Sequence, residues 1–341
     1  MRILFYVDGA TTNFGDDLNR WMWSDLLGIP LDVDDGSVLL GIGTVLSKGF
    51  VPPGLKYFVL GSGAGYDAPP ADFGSPAWTI LAVRGPLTAA ALSLPPEKAV
   101  TDAAALIRLL PECQPIPEHE RSGILFMPHY EVLPAGNWRQ VCAMAGFEFL
   151  DPLADSRETL QRIRNAKLVI ADAMHAAIVA DALRVPWIPI VLSPKNNTFK
   201  WMDWTLSLEL DYHPTVVPAS TLLEAVHNFS LRFRGNRYYF RKMTPFNAIR
   251  RFQRMKKVRT WNHWAEWSKL MFLLFYAIPR RIVTSPILRG VKIRMDAALT
   301  QKAAKQLQAI AELPASLSNE RVFQNRLEVL AILLQKLQSG R

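Results

Sequence analysis

Cysteine is nearly missing from this chain: its 341 residues hold two, Cys113 and Cys142. Two are too few to staple a secreted fold, and their separation is not the CxxC spacing of a zinc or redox site. An intracellular protein is expected. Long apolar runs are missing as well. The longest, Leu270 to Ile278 (LMFLLFYAI), stops at Pro279, and a membrane-spanning helix needs about 20 such residues. No signal peptide is expected, because the apolar run after Arg2 ends at Asp8. HExxH, P-loop and GxSxG motifs are absent, and no His/Cys cluster has metal-ligand spacing. Neither a metal nor a cofactor is expected.

Apolar side chains are plentiful. They make up 50% of the chain against 20% charged, enough for a packed core. The length suggests two domains. The net charge of +9 is unevenly spread. Residues 232–294 carry 17 Lys/Arg and one acid, Glu266, whereas the other 278 residues carry 22 bases and 29 acids. A basic segment is thus attached to a mildly acidic body. Nucleic acid is the usual partner of such charge. Here, however, aromatics interleave with the bases: Phe233, Tyr238, Tyr239, Phe240, Phe246, Phe252, Trp261, Trp264, Trp267, Phe272, Phe275 and Tyr276. Aromatic rings favour the headgroup zone of a bilayer, and Lys/Arg favour an anionic surface. Trp264, Trp267 and Met271 share helical spacing and lead into the apolar run, which predicts an interfacial helix. A basic face over a cleft and RNA binding are the competing readings. The membrane reading is preferred, so no nucleic-acid partner is expected.

Short apolar runs alternate with helical patterns through the rest of the chain. RILFYV (2–7), SVLLGIG (37–43), KYFVLGSG (56–63) and WTILAVRG (78–85) read as buried strands. NFGDDLNRWMWSDLLG is a loop and a helix stopping at Gly28, and PLTAAAL (86–92) is a helix opened by proline. The polar, proline-rich stretch 111–122 reads as a linker. A second series follows: strands at 123–130, 147–152, 167–172 and 186–192, with helices at 136–145, 155–166, 174–184 and 221–229. Continuous apolar strands separated by helices imply parallel sheets covered on both faces. The fold class is α/β: two Rossmann-like domains, 1–112 and 118–230, facing a cleft in a glycosyltransferase-B-like arrangement. A helical basic C-terminal extension follows, as segment 231–294 and two amphipathic helices in 295–341. Phe323, Leu327, Leu330, Leu334 and Leu337 form a stripe read as core packing.

Ligands of parallel sheets sit at the carboxyl ends of strands, which selects the candidate residues. Asn13, Gly15, Asp16 and Asp17 open a helix after the first strand. They read either as a polar-ligand site or as a cap with acids complementing the dipole. Ser62 and Gly63 follow the third strand. The GSGAG run there resembles half a dinucleotide fingerprint, but Tyr66 and Pro69-Pro70 deny it the helix it needs. Arg84 ends the next strand and reads as a cleft cation or a surface ion pair. Asp102 reads as a helix cap in preference to a cleft residue. His129 and Tyr130 end the first strand of the second series. His175 lies in the first turn of a helix after a strand, where an imidazole binds anions and moves protons. Lys195 and Lys200 lie in KNNTFKWMDW, which suits anions and sugars or forms a tryptophan-anchored loop.

Taken in order, NFGDDLN, GSG at 61–63, VRGPLT at 83–88, TDAAALI at 101–107 and LVIADAMHAAIVADALRVPWIPI at 168–190 resemble the polysaccharide pyruvyl transferase family. PKNNTFKWMDW at 194–204 is similar to its succinoglycan-ketolase branch. The resemblance covers residues 1–215 and implies transfer of pyruvate from phosphoenolpyruvate to a lipid-linked sugar, giving a cyclic ketal. The first domain would take the acceptor and the second the donor. The family's Arg-Leu-His signature falls on Ala173-Met174-His175, so the histidine is present and the arginine is not. Arg84, His129, Lys195 and Lys200 are the candidate substitutes. His175 would bind the donor anion and supply a proton, while Asp16 or Asp17 would orient or deprotonate the acceptor hydroxyls. The implied location is cytoplasmic, peripheral on the inner face of the membrane. A nucleotide-sugar glycosyltransferase and a non-catalytic membrane-bound assembly factor are the competing functions.

Overall fold

The computed structural model describes residues 1–6, 13–28, 35–52, 55–233, 238–258 and 270–339. Its strands form two separate parallel sheets. The first holds β1 (Arg2–Ile3), β2 (Ser37–Leu40), β3 (Lys56–Ser62) and β4 (Trp78–Val83), in that order. The second holds β5 (Ile124–Met127), β6 (Glu148–Phe149), β7 (Leu168–Ala171), β8 (Trp187–Val191) and β9 (Thr215–Val216), in the order β6-β5-β7-β8-β9. Strands β3, β4, β7 and β8 coincide with the apolar runs. Strand β1 is shorter than its run, part of which lies outside the described residues.

Helices α1 (Phe14–Asp17), α2 (Met22–Leu27) and α3 (Pro86–Ala91) accompany the first sheet. Around the second lie α4 (Trp138–Ala145), α5 (Ser156–Asn165), α6 (Met174–Ala182), α7 (Thr198–Ser207) and α8 (Leu222–Phe233). The chain then forms α9 (Pro245–Val258), α10 (Leu270–Val283), α11 (Arg289–Ala311) and α12 (Glu320–Ser339). One apolar cluster joins Leu39 and Leu60 of the first sheet to Val169 and Trp187 of the second, with α6 within it. The predicted stripe of α12, from Phe323 to Leu337, is buried in this same cluster. The last helix therefore packs back on β3 and β4 of the first sheet. Burial of such an apolar face is what holds a helix in place.

The basic segment divides in two. Its first part folds onto the body: Phe252 is buried and stacks on Phe199 of α7, and the backbone of Tyr238 and Tyr239 donates to the Pro194 carbonyl. Phe252 is therefore a packing group and not an interfacial aromatic. Trp261, Trp264 and Trp267 lie outside the described residues. Among the described residues no single helix is long and apolar enough to cross a membrane; one bent pair, α10 with the stretch 286–311, reaches that length together.

Candidate functional site

The carboxyl ends of both sheets open on one cavity of about 560 Å³, within the size range of small-ligand sites. On the first-sheet side, Asn13 caps α1 by accepting from the Asp16 N–H at 3.3 Å, and its side-chain amide donates to the Asp16 carboxylate. Asp16 and Gly15 line the cavity. Burial pushes the Asp16 carboxyl up to about 6, and the Asn13 hydrogen bond and Lys200 charge offset only part of that. A carboxyl so placed is a base near neutral pH.

His175 is the second residue of α6 and lines the cavity with 12% of its side chain exposed. Its Nε2 is on the buried side, 3.8 Å from Asp102 Oδ2; neither atom has a hydrogen-bond partner among the described residues. The Nδ1 edge lies against Gly15. A Cβ at position 15 would come within 1.9 Å of Nδ1, so only glycine admits the ring there. Burial, then the charges of Lys200, Arg84 and His129, push the imidazole down to about 3. It is therefore neutral at pH 7.

Asp102 is the cap that the sequence suggested: it accepts from the Ala104 N–H at 3.0 Å and starts the short helix Ala103–Leu109. Its second oxygen, however, faces His175. Burial pushes its carboxyl up to about 6 in spite of Arg84. Ionised at pH 7, it favours the imidazole tautomer with the proton on Nε2. A cap and a histidine partner look the same in sequence, because both need only a carboxylate after a strand.

On the second-sheet side, His129 follows β5 and lines the cavity beside Tyr130. Its backbone N–H donates to Asp172 at 3.1 Å. Asp172, just after β7, also accepts from Leu192 N–H and from the Asn196 amide, tying together the loops after β5, β7 and β8. Asp172 was not singled out in the sequence, although its place directly after a strand was the available signal. Lys195 is paired with Glu131 at 2.8 Å. Lys200 rests on Tyr66, 3.2 Å from its hydroxyl, and its charge acts on Asp16, Asp102, His129 and His175. Tyr6, Phe50, Tyr66 and Tyr238 complete the aromatic walls.

Four expected residues stand apart from the cavity lining. Asp17 is turned away, accepting from Ser156 Oγ at 2.7 Å and pairing with Arg20 at 3.1 Å. Ser62 donates to the Gly43 carbonyl, and Gly63 leaves the space that the Arg84 guanidinium fills. Arg84 is fully buried: Nε donates to Asp203 at 3.1 Å, Nη1 to Thr44 and Nη2 to the Ala64 carbonyl. With every nitrogen engaged it is a structural cation, and it acts on the site only through its charge. Ser62, Gly63 and Arg84 thus support the floor, and the acid facing the cavity is Asp16, not Asp17.

Residues 132–194, which include Asp172 and His175, match the family model described as polysaccharide pyruvyl transferase. The chain is also 39% identical, over 249 residues, to the succinoglycan biosynthesis protein ExoV of Rhizobium meliloti (strain 1021). That similarity spans 72% of this chain and 77% of the relative. No solved structure matches.

Proposed function

Since the chain belongs to the polysaccharide pyruvyl transferase family and is a transferase, we propose that it moves pyruvate from phosphoenolpyruvate to two hydroxyls of one sugar. The product is a cyclic ketal in exopolysaccharide synthesis, on a lipid-linked acceptor. The observation that supports this reading is a cavity in which a neutral histidine, a carboxyl raised to about 6 and a lysine meet between aromatic walls. Residues 1–112 would carry the acceptor and 118–230 the donor, in a glycosyltransferase-B-like manner.

The chemistry balances without a redox step. A proton added to the methylene carbon of the donor leaves cationic character at the central carbon. One sugar hydroxyl adds there and loses its proton. The bond from carbon to the phosphate oxygen breaks, and phosphate leaves with a proton. The second hydroxyl then closes the ketal and loses its proton. Asp16 is the base for the hydroxyls. His175 binds the donor anion and delivers the proton. Burial, with the charges of Lys200 and Arg84, holds the free imidazole neutral; a bound trianion opposes the two cations and so favours protonation of His175. Asp102 orients the ring and faces the charge that forms.

Melting experiments separate this reading from its nearest rival. Phosphoenolpyruvate should raise the melting temperature and UDP-sugars should not. Labelled pyruvate should pass to lipid-linked sugars extracted from membranes. Stabilisation by a UDP-sugar alone, with no pyruvate transfer, would overturn the proposal.

Two expectations follow from the charges. Lys195 is already met by Glu131, so Lys200 is the stronger donor cation. Lys200→Met should raise the donor KM about 10-fold or more, as loss of a charged hydrogen bond does, and Lys195→Met less. Equal effects of the two, measured at saturating acceptor, would refute this ranking. Asp16 acts as a base only when ionised, above its value of about 6. Turnover should therefore fall as pH drops through about 6. A profile flat down to pH 5 would remove Asp16 from that role.

A further inference from the structure

The apolar residues left uncovered between positions 270 and 295 follow a pattern. Helix α10 packs one face on α8, with Phe275 against Phe229 and Tyr276 against His227. On its outer face Leu270, Leu274, Ile278 and Ile282 recur every four residues, each exposed by 43–53%. The spacing persists through the π-helical stretch Leu273–Ala277. Beyond the break at Thr284–Ser285 the axis turns by 62°. Ile287, Val291 and Met295 then repeat the interval, and Ile287 is 91% exposed. An apolar stripe of this length in water marks an interaction surface.

The charge beside it is of one sign. Residues 270–295 contain Arg280, Arg281, Arg289, Lys292 and Arg294 and no acid. The four arginines are exposed, whereas Lys292 is paired with Asp296. A second copy of this face would bring like charges together, so self-association is disfavoured. An anionic surface with an apolar interior complements both features.

The geometry also decides how such a surface is met. The bent pair matches a membrane span by length and composition only. The second half of α11 is not available for that: Ala303, Ala304, Leu307 and Ile310 are buried in the cluster that holds Trp138 and Val141 of α4. Among the described residues of the pair, the outer face from 270 to 295 is what stays exposed, and an amphipathic face of that kind lies in the plane of the interface. We propose that residues 270–295 dock the protein on an anionic lipid bilayer. The stripe of α10 and the start of α11 enter the acyl boundary, and the arginines meet the headgroups. This inference is independent of the transfer reaction and narrows the expected membrane segment to its second part.

Vesicle flotation of the full-length protein tests it. The wild type should bind phosphatidylcholine vesicles containing phosphatidylglycerol, release with added salt, and not bind phosphatidylcholine alone. Leu274→Asp with Ile282→Asp should abolish binding. Arg280→Gln, Arg281→Gln and Arg289→Gln together should weaken it about 100-fold, at about fivefold for each base near an anionic surface. All these side chains point outward, so the melting temperature and the shift produced by phosphoenolpyruvate should be unchanged. That control separates failure here from failure of the proposed activity. Undiminished binding by the Asp variant, no binding by the wild type, or a lipid-free dimer that the Asp variant converts to monomer would each overturn the proposal.

Discussion

Replacing His175 by alanine will lower pyruvyl transfer by about 10²-fold or more, the usual loss on removing a positioned proton donor. Three observations converge on this residue. It lines the cavity, its ring fits only because residue 15 is glycine, and a buried carboxylate stands 3.8 Å from its Nε2. The fold should hardly notice the change, because Nε2 makes no hydrogen bond that alanine would break. Its imidazole is held down at about 3, so in the folded protein it takes up no proton at neutral pH. The donor's negative charge should reverse that. Calorimetry in buffers of different ionisation enthalpy should show proton uptake on donor binding by the wild type and none by His175→Ala. Unchanged turnover in a folded variant would take His175 out of the site.

Asp203→Ala should be the most damaging single change to stability among the residues under the cavity. Asp203 and Arg84 are both fully buried, 3.1 Å apart. The same carboxylate accepts from the Thr88 N–H at 2.8 Å and from the Thr88 hydroxyl, joining α7 to the start of α3. The helices are so close that a Cβ on Gly85 would lie 1.9 Å from the Asp203 carbonyl oxygen. Removing the carboxylate strips the buried guanidinium of its hydrogen-bonded counter-charge and leaves only the more distant Asp102 to oppose it, which costs about 3–5 kcal/mol. The melting temperature should fall by roughly 10 °C. Replacing both partners by apolar residues, Arg84→Met with Asp203→Leu, should cost less than Asp203→Ala alone, because no charge is then stranded. A loss below about 1 kcal/mol in Asp203→Ala would show that Arg84 finds other compensation.

The strands of both sheets were legible wherever both faces are covered. Strands β7 and β8 are continuous apolar runs because almost nothing of them meets water, and β3 and β4 are buried toward their carboxyl ends. The two-residue strands β1, β6 and β9 lie at sheet edges; the first two fall inside the runs read at 2–7 and 147–152, whereas β9 (Thr215–Val216) is too short to carry a period and went unread. Much of the candidate site was legible for a related reason. Parallel strands direct the residues after them into one region, so His129, His175 and Lys195 could be nominated from position alone.

The sequence by itself determined the α/β alternation, the family, the turns that reach the cavity and the concentration of basic charge near the end. Tertiary structure alone decided what each turn residue does there. Arg84 became structural because its partner arrives from 119 residues away, and Asp102 became a neighbour of His175 because two sheets meet. Residues 238–258 and 270–295 share one composition, but α7 and α3 cover the first stretch, and α8 covers only one face of α10 in the second. Local pattern records which side chains prefer burial. Which of them achieve it depends on the surface that the rest of the chain presents, and that information lies at long range.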